Sequence, residues 1–143
     1  MNLRKAEVGD KEKILEIVNL LYLDVPNFVW NINEFVGRQI RNGEYFLLET
    51  EGKIAGIISF RQRQDKMYIE TLAVINDLQS KGIGTQLIEF AKDFTRESGL
   101  KTLRACSFHE YKKVDFYLSQ GFSLLNKPGS YSDHKYYRFE MEV

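Results

Sequence analysis

The feature that most constrains this sequence is a corner at which a strand runs into a helix through two glycines. The stretch AVINDLQSKGIGTQLIEFAK, residues 73–92, begins as an apolar strand that ends at Val74 and becomes helical after residues 79–85. The first N–H groups of a helix have no partners inside the helix, and the helix dipole adds partial positive charge there. Glycine at positions 82 and 84 removes the Cβ atoms that would keep a phosphate away from those donors. The corner therefore predicts an anion site, and its alternative is a glycine-rich turn that binds nothing.

Neither of the common nucleotide-binding motifs fits this corner. The dinucleotide motif requires a third glycine where the sequence has Leu87, and the P-loop motif is absent. Lys81 adds one full positive charge to the corner and Thr85 adds a hydroxyl group. The sequence thus predicts a phosphate site of another type.

Length and composition indicate one globular domain, which we predict to cover residues 1–143. Its 143 residues are enough for one hydrophobic core and too few for two ordinary domains. The composition, 43% apolar and 28% charged residues, is that of a globular protein. Its twenty basic and twenty acidic side chains cancel, and no Lys/Arg run exceeds two residues, which argues against a nucleic-acid partner. Neither a secretory segment nor an apolar run of the ~20 residues that cross a bilayer is evident. We therefore expect a cytoplasmic protein without a membrane partner.

Apolar periodicity predicts a mixed α/β protein whose helices cover both faces of one sheet. Asp10 is expected to cap the first helix, Asn42-Gly43 to end the second, and Glu51-Gly52 to form a hairpin turn. Helices are predicted at 11–22, 32–40, 83–98 and 111–119, and strands at 3–6, 45–50, 53–62, 66–75, 102–107, 122–125 and 136–143.

Two segments together resemble the GNAT superfamily of acyl-CoA-dependent N-acetyltransferases. They are YIETLAVINDLQSKGIGTQLIEFA, residues 68–91, and DFYLSQGF, residues 115–122. The resemblance implies a single GNAT-type domain with a largely antiparallel mixed sheet, in which strands four and five splay apart. It also implies that acetyl-CoA, without a metal, donates an acetyl group directly to a primary amine. Proteins of this family are often dimers, so we expect a monomer or a homodimer.

The resemblance implies which residues hold coenzyme A. In the family, its pyrophosphate lies on the amides that open helix three, and its pantetheine arm runs beside strand four. Glu110 and Lys113 stand where the family often has Asn and Ala, and the side chain of that Asn contacts the cofactor. An ionised Glu110 cannot donate the hydrogen bond that the Asn donates. Lys113 would instead approach the pantetheine arm or the phosphate. The implied cofactor-binding residues are Leu72, Ala73, Val74, Gln79, Ser80, Lys81, Gly82, Ile83, Gly84, Thr85 and Lys113.

Two side chains are candidates for proton transfer. An alkyl amine with a pKa near ~10.4 is protonated at neutral pH, and freeing its lone pair costs about 4.6 kcal/mol, so a base is useful. Glu70, on strand four, is the candidate base; the alternative is a solvated or ion-paired strand residue. By the resemblance, Tyr117 is the acid that protonates the leaving thiolate. Its alternative role is a core tyrosine whose hydroxyl bonds to backbone.

The acceptor cleft of the family is lined by the connection between the first two helices and by the last inter-strand loop. Aromatic walls with two aspartates, Asp24 and Asp133, suit a cationic amine. The alternative is that Phe28 and Trp30 only fill the core where the first two helices meet. Because the branch that acetylates ribosomal-protein N-termini often has a glutamate where this chain has Ala105, a small-molecule amine is favoured. The implied acceptor residues are Tyr22, Asp24, Phe28, Trp30 and Tyr131.

Other polar residues are expected to play no chemical role. We interpret His109 and His134 as solvated and Cys106 as a buried packing residue, which disfavours a covalent intermediate. Two histidines and one cysteine far apart give no support for a metal site. Two alternative functions stay open: a non-catalytic acyl-CoA sensor with the same fold, and a phosphate- or nucleotide-binding protein.

Overall fold

The computed structural model describes residues 2–75 and 82–143, which form one mixed sheet with helices. The strands are β1 Asn2–Lys5, β2 Tyr45–Thr50, β3 Lys53–Arg63, β4 Lys66–Val74, β5 Thr102–Phe108, β6 Ser123–Leu124, β7 Gly129–Tyr131 and β8 His134–Glu142. The α-helices are α1 Lys11–Val18, α2 Asn33–Arg41, α3 Ile83–Glu97 and α4 Val114–Ser119, and short 3-10 turns cover Val8–Asp10, Asn19–Leu21 and His109–Tyr111.

The strand order is β1-β2-β3-β4-β5-β8-β6, with β7 paired to β8. The pairs β1–β2, β2–β3, β5–β8, β6–β8 and β7–β8 are antiparallel, whereas β4 and β5 are parallel. The ladder between β4 and β5 joins Lys66–Ile69 to Thr102–Ala105 and ends there, although both strands continue. The predicted mixed, largely antiparallel sheet is confirmed.

Residue contacts divide the chain into two compact units. The first unit comprises Met1–Phe60 and Thr71–Leu87, and the second comprises Arg61–Glu70 and Ile88–Val143. That residues 1–143 act as one domain stays a prediction. No helix in the described ranges has the length and apolar character needed to cross a membrane.

In the first unit, α1 and α2 cover one face of the sheet. Ile14, Ile17 and Val18 recur at helical spacing on α1 and are almost fully buried against strand residues such as Leu47 and Ile57. Burying one such side chain stabilises the fold by roughly 1.5–3 kcal/mol. This packing explains why the apolar spacing predicted both helices correctly.

The opposite face of the first unit carries the start of α3. A Cβ placed on Gly56 would lie 2.9 Å from Leu87 Cδ1 and 3.0 Å from Ile83 Cγ2, both on α3. The helix therefore approaches β3 to a distance that only glycine permits. Helices on both faces of the sheet are confirmed.

Aromatic rings make up much of the core of the second unit. Tyr117 on α4 stacks on Phe139 of β8 with ring centroids 4.7 Å apart, and Phe122 meets Tyr117 edge-on at 5.4 Å. Leu103 and Ala105 on β5 are fully buried in the same unit. The packing holds α4 against the C-terminal strands.

Local signals predicted the turns well. Glu51 and Gly52 both have positive φ (53° and 76°), as a tight hairpin turn between β2 and β3 requires. Gly43 ends α2 with φ 70°, and its N–H donates to the Ile40 carbonyl at 3.1 Å. The predicted hairpin and helix end are confirmed.

Several element boundaries were predicted wrongly. The first helix ends at Val18 and continues only as a 3-10 turn, and the helix predicted at 111–119 begins at Val114. The last strand begins at His134, and β7, Gly129–Tyr131, was missed, because a three-residue strand carries too little periodicity to be recognised. Asp10 stands at the N-cap position of α1, but its side chain makes no capping bond.

Instead, Asp10 belongs to an ion-pair network that joins three segments. The Arg4 guanidinium donates two 2.8 Å hydrogen bonds to the Asp10 carboxylate and one of 2.6 Å, from Nε, to Glu49. The Glu7 N–H also donates to Asp10 at 2.8 Å. These bonds, those from Arg4 first, hold the pKa of Asp10 below its ordinary value of 3.8.

Asp10→Asn is expected to destabilise the protein by about 1–2 kcal/mol near neutral pH, because it removes the paired charge. Since the pKa of Asp10 is lowered by folding, its contribution is present above pH 3.8 and is lost as the pH falls through the folded-state pKa. Urea unfolding across this pH range should therefore show the difference between wild type and variant shrinking. Asp24→Asn, at an exposed loop position, is the control; an equal loss in both variants would contradict the network's role.

Candidate functional site

The glycine corner opens α3 with a backbone that requires glycine. Gly82 has φ +80° and is exposed, and its carbonyl accepts the Gln86 N–H at 3.1 Å, which starts the helical ladder. The amides of residues 83–85 precede that ladder, in the positions where a helix offers donors to an anion. Ile83 and Gly84 are buried and Thr85 is exposed. Gln79, Ser80 and Lys81 lie outside the described residues.

The end of β4 supplies the second part of the predicted cofactor site. Burial alternates strictly along the strand, with Ala73 buried and Glu70, Leu72 and Val74 half-buried on the other face. This regular alternation places Glu70 on the half-buried face of β4, opposite Ala73. Leu72 and Ala73 lie beyond Ile69, the last β4 residue in the ladder with β5.

Gly56 of β3 brings these two parts together in the first unit. The position that a Cβ would take at Gly56 is 3.2 Å from the Ala73 carbonyl oxygen, in addition to its contacts with Ile83 and Leu87. Gly56 therefore touches both β4 and the first turn of α3. Sequence reasoning missed this residue, although an isolated glycine within a strand pattern is a signal of close approach.

Tyr117 combines features of both predicted roles. Its ring is buried in the aromatic core, as expected for a packing residue, and burial raises the pKa of its phenol well above the ordinary value of 10.0. Within the described part of the chain, however, no group hydrogen-bonds to the hydroxyl, so the alternative of a backbone-bonded tyrosine is wrong. A phenol with a raised pKa stays protonated at neutral pH, which is the form that an acid requires.

Glu70 is an ion-paired strand residue. Its Oε1 lies 3.7 Å from Nη2 of Arg61 on β3, and its side chain is 17% exposed. This pair is the structural alternative that the sequence left open. The role of Glu70 as a base stays a prediction.

The prediction that Cys106 is buried is wrong. Cys106 is exposed, whereas its neighbours Ala105 and Ser107 are buried on the other face of β5. Alternation along a strand places every second residue on each face, and the sequence did not reveal which face of β5 is covered. Even so, partial burial raises the pKa of the Cys106 thiol above its ordinary value of 9.0, which still argues against Cys106 as a covalent nucleophile.

The prediction that both histidines are simply solvated is wrong, because each ring has a defined partner. His134 Nδ1 and Glu110 Oε2 are 2.5 Å apart, and this hydrogen bond holds the pKa of Glu110 below its ordinary value of 4.5. The His109 ring stacks on Tyr137 at 3.9 Å, and its Nε2 is buried without a partner among the described residues. Lys113 is exposed at the N-cap of α4, and its contact with a cofactor stays a prediction.

The residues predicted for the acceptor fall into two groups. Tyr22, Phe28 and Trp30 form a chain of edge-on rings, 5.3 and 5.0 Å apart, in which Phe28 is buried and Tyr22 is 52% exposed. Asp24, in the same connection, is exposed. Tyr131 belongs to the second unit and packs edge-on to Phe108 at 6.2 Å. Phe28 thus fills the core, while Tyr22 and Asp24 present polar groups to solvent.

Metal chemistry has no visible basis in the described ranges. No group of three or more His, Cys, Asp or Glu side chains in residues 2–75 and 82–143 is arranged to hold a metal ion. The short pair of Glu110 and His134 supplies only two such groups.

The chain matches a family model in sequence and known proteins in fold. A family model described as acetyltransferase (GNAT) family matches residues 14–122. Ard1 from Thermoplasma volcanium is 18% identical with a TM-score of 0.83, over 99% of this chain and 97% of that chain. An aminoglycoside 6'-N-acetyltransferase complexed with coenzyme A is 14% identical with a TM-score of 0.78, over 99% and 97%.

A ribosomal-protein-alanine N-acetyltransferase from Brucella melitensis is 18% identical with a TM-score of 0.79, and each chain is covered completely. At these identities the similarity concerns the fold. No curated protein is significantly similar to the chain in sequence.

Gly56→Ala is expected to destabilise the protein by about 1–3 kcal/mol, because the added methyl group would displace α3 or the Ala73 carbonyl. Thermal unfolding should show a Tm lower by roughly 3–12 °C. Gly9→Ala is a matched control, since a Cβ at Gly9 meets nothing within 4 Å. Equal Tm values for the two variants would show that the close approach is not required.

Proposed function

The chain belongs to the acetyltransferase (GNAT) family, and on that premise we propose that it transfers an acetyl group from acetyl-CoA to a primary amine. The amine attacks the thioester directly, without an acyl-enzyme intermediate. One observation carries the proposal: Gly56 lies against both the first turn of α3, at Ile83 and Leu87, and the end of β4, at the Ala73 carbonyl. These are the two elements that would bind the pyrophosphate and the pantetheine arm.

The donor contacts are made mainly by backbone. The pyrophosphate accepts hydrogen bonds from the amides of residues 83–85, and the left-handed Gly82 admits it without a clashing side chain. The amide-rich pantetheine arm pairs with Leu72 and Ala73 as an additional strand would. A backbone amide near Val74 is the donor that stabilises the oxyanion of the tetrahedral intermediate.

Proton transfer is assigned to two side chains. Glu70, directly or through water, removes a proton from the ammonium group so that the amine can attack. Tyr117 returns a proton to the leaving thiolate. For an unperturbed tyrosine this transfer is uphill by roughly 2 kcal/mol, and the raised pKa of Tyr117 increases that cost. The thiol is a tolerable leaving group without help, so Tyr117 assists the reaction and is not indispensable to it.

The acceptor is proposed to be a small cationic amine with an apolar body. Exposed Tyr22 and Asp24 offer a π-face and a carboxylate, and Phe28 packs behind them. The names of the structural neighbours include an aminoglycoside N-acetyltransferase and a ribosomal-protein-alanine N-acetyltransferase, so the shared fold serves very different acceptors. A cytoplasmic location and a monomeric or dimeric state remain part of the proposal.

The second candidate function is a non-catalytic acyl-CoA sensor. It is favoured by Glu110, which replaces an amide side chain of the family and is engaged by His134. A sensor binds acetyl-CoA but shows no Tyr117-dependent transfer to any amine. Turnover therefore separates the two candidates.

Thermal unfolding with acetyl-CoA, CoA and ATP in turn tests the donor site. A ligand at a hundredfold excess over its Kd adds about 2.7 kcal/mol, which should raise Tm by roughly 5–10 °C in a chain of this size. We expect Tm to rise with acetyl-CoA and with CoA but not with ATP. In the Gly84→Val variant, neither CoA species should raise Tm above the value of the same variant without ligand. No rise with either CoA species would contradict the proposed transferase.

Tyr117→Phe should lower kcat by about 10²-fold in a screen of primary amines. Its Tm and acetyl-CoA affinity should stay unchanged, because the ring packing is kept and no described residue hydrogen-bonds to the hydroxyl.

Glu70→Gln should slow the reaction near neutral pH and regain activity at high pH, where the amine is already deprotonated. Unchanged neutral-pH rates in either variant would remove that residue from the mechanism.

A further inference from the structure

A groove outside the proposed acetyl-transfer residues lies between the start of α1 and α2. Its volume is about 440 Å³, which falls in the range of small-molecule sites. Ile32 and Phe35 give it an apolar part, and its charged lining residues are Lys11, Glu34, Arg38 and Arg41. All of them belong to the first unit.

Two of these cations converge above a glycine. The position that a Cβ would take at Gly37 is 3.3 Å from Arg41 Nη1 and 3.9 Å from Lys11 Nζ. The two nitrogens are therefore separated by no more than the sum of those distances. Because Gly37 has no side chain, nothing from that position stands between them.

The cations of the groove have no acidic partner in the described part of the chain. No ion pair there involves Lys11, Arg38 or Arg41, although Glu34 lies four residues before Arg38 on the same helix. The groove thus carries three positive charges against one negative charge. Elsewhere, basic residues such as Arg4 and Arg104 are paired with carboxylates.

The two nitrogens are close enough for a single anionic group to accept from both, since their separation cannot exceed the sum of 3.3 and 3.9 Å. A phosphate or carboxylate that accepts from two N–H donors brings them to roughly 6–8 Å of each other, since each hydrogen bond spans about 2.9 Å. Arg38 adds a third charge that is already oriented, because its guanidinium carbon lies 5.7 Å above the Phe35 ring. An anion bound there would also relieve the repulsion between Lys11 and Arg41.

We propose that this groove binds a small organic anion, whose phosphate or carboxylate groups lie between Lys11 and Arg41 and whose apolar part rests on Ile32 and Phe35. The site is separate from the residues assigned to acetyl-CoA and to proton transfer. It does not rest on the proposed function, because it requires neither coenzyme A nor turnover.

Isothermal titration of the full chain with phenyl phosphate, phthalate and benzyl alcohol tests the proposal. The first two probes carry the anion as phosphate or as carboxylates on the same apolar ring, and the third is neutral. We expect saturable binding of at least one anion with a Kd of ~1 mM or tighter. The neutral probe should not bind measurably, and added salt should weaken the binding of the anionic probes.

Charge variants locate the site. The double variant Lys11→Gln/Arg41→Gln should weaken binding of the anion at least about tenfold, and Arg41→Gln alone should weaken it less. Lys53→Gln/Lys101→Gln removes the same charge from exposed positions outside the groove and should change affinity less than about twofold. Absent binding by wild type, equal binding of benzyl alcohol, or equal weakening in both double variants would each overturn the proposal.

Discussion

The contact of Gly56 with α3 and β4 is the constraint on which the donor site depends. A helix can present its first amides to a ligand beside a strand only if both lie close to the same part of the sheet. In this chain Ile83 and Leu87 occupy the space above Gly56, so α3 starts directly against β3 and the Ala73 carbonyl. Any larger residue at that position would separate the corner from the strand, whatever the glycines at 82 and 84 allow.

Burial at Tyr117 acts in two directions. Stacking on Phe139 and edge-on contact with Phe122 fix the ring, and no described residue hydrogen-bonds to the hydroxyl. The same burial disfavours the phenolate and raises the pKa of Tyr117. A rigid phenol that stays protonated is well placed to donate, but it is a poorer acid than a solvated one. A packing role in the core and the proposed role as an acid are therefore compatible for Tyr117.

The sequence predicted what depends on local periodicity and turn chemistry, and missed what depends on contacts distant in sequence. The β4 strand, the Glu51-Gly52 hairpin and the end of α2 before Gly43 follow from neighbouring residues. The pair of Glu110 and His134 spans 24 positions and arises only when β8 folds beside the turn after β5. The exposure of Cys106 depends on which face of β5 is covered. Neither feature has a local signature.

The same distinction explains why the reaction class can be inferred more readily than the substrate. The proposed donor contacts come from backbone amides and from glycines that a sequence displays directly, because glycine is the residue best suited to the φ of residue 82 and to the close approach at residue 56. The proposed acceptor contacts come from side chains such as Tyr22 and Asp24, whose residue types occur on any surface. Many substitutions there would keep the fold, and each would change the amine that fits. Under the proposed function, acceptor specificity depends on the placement of side chains, whereas the proposed donor site depends on backbone geometry.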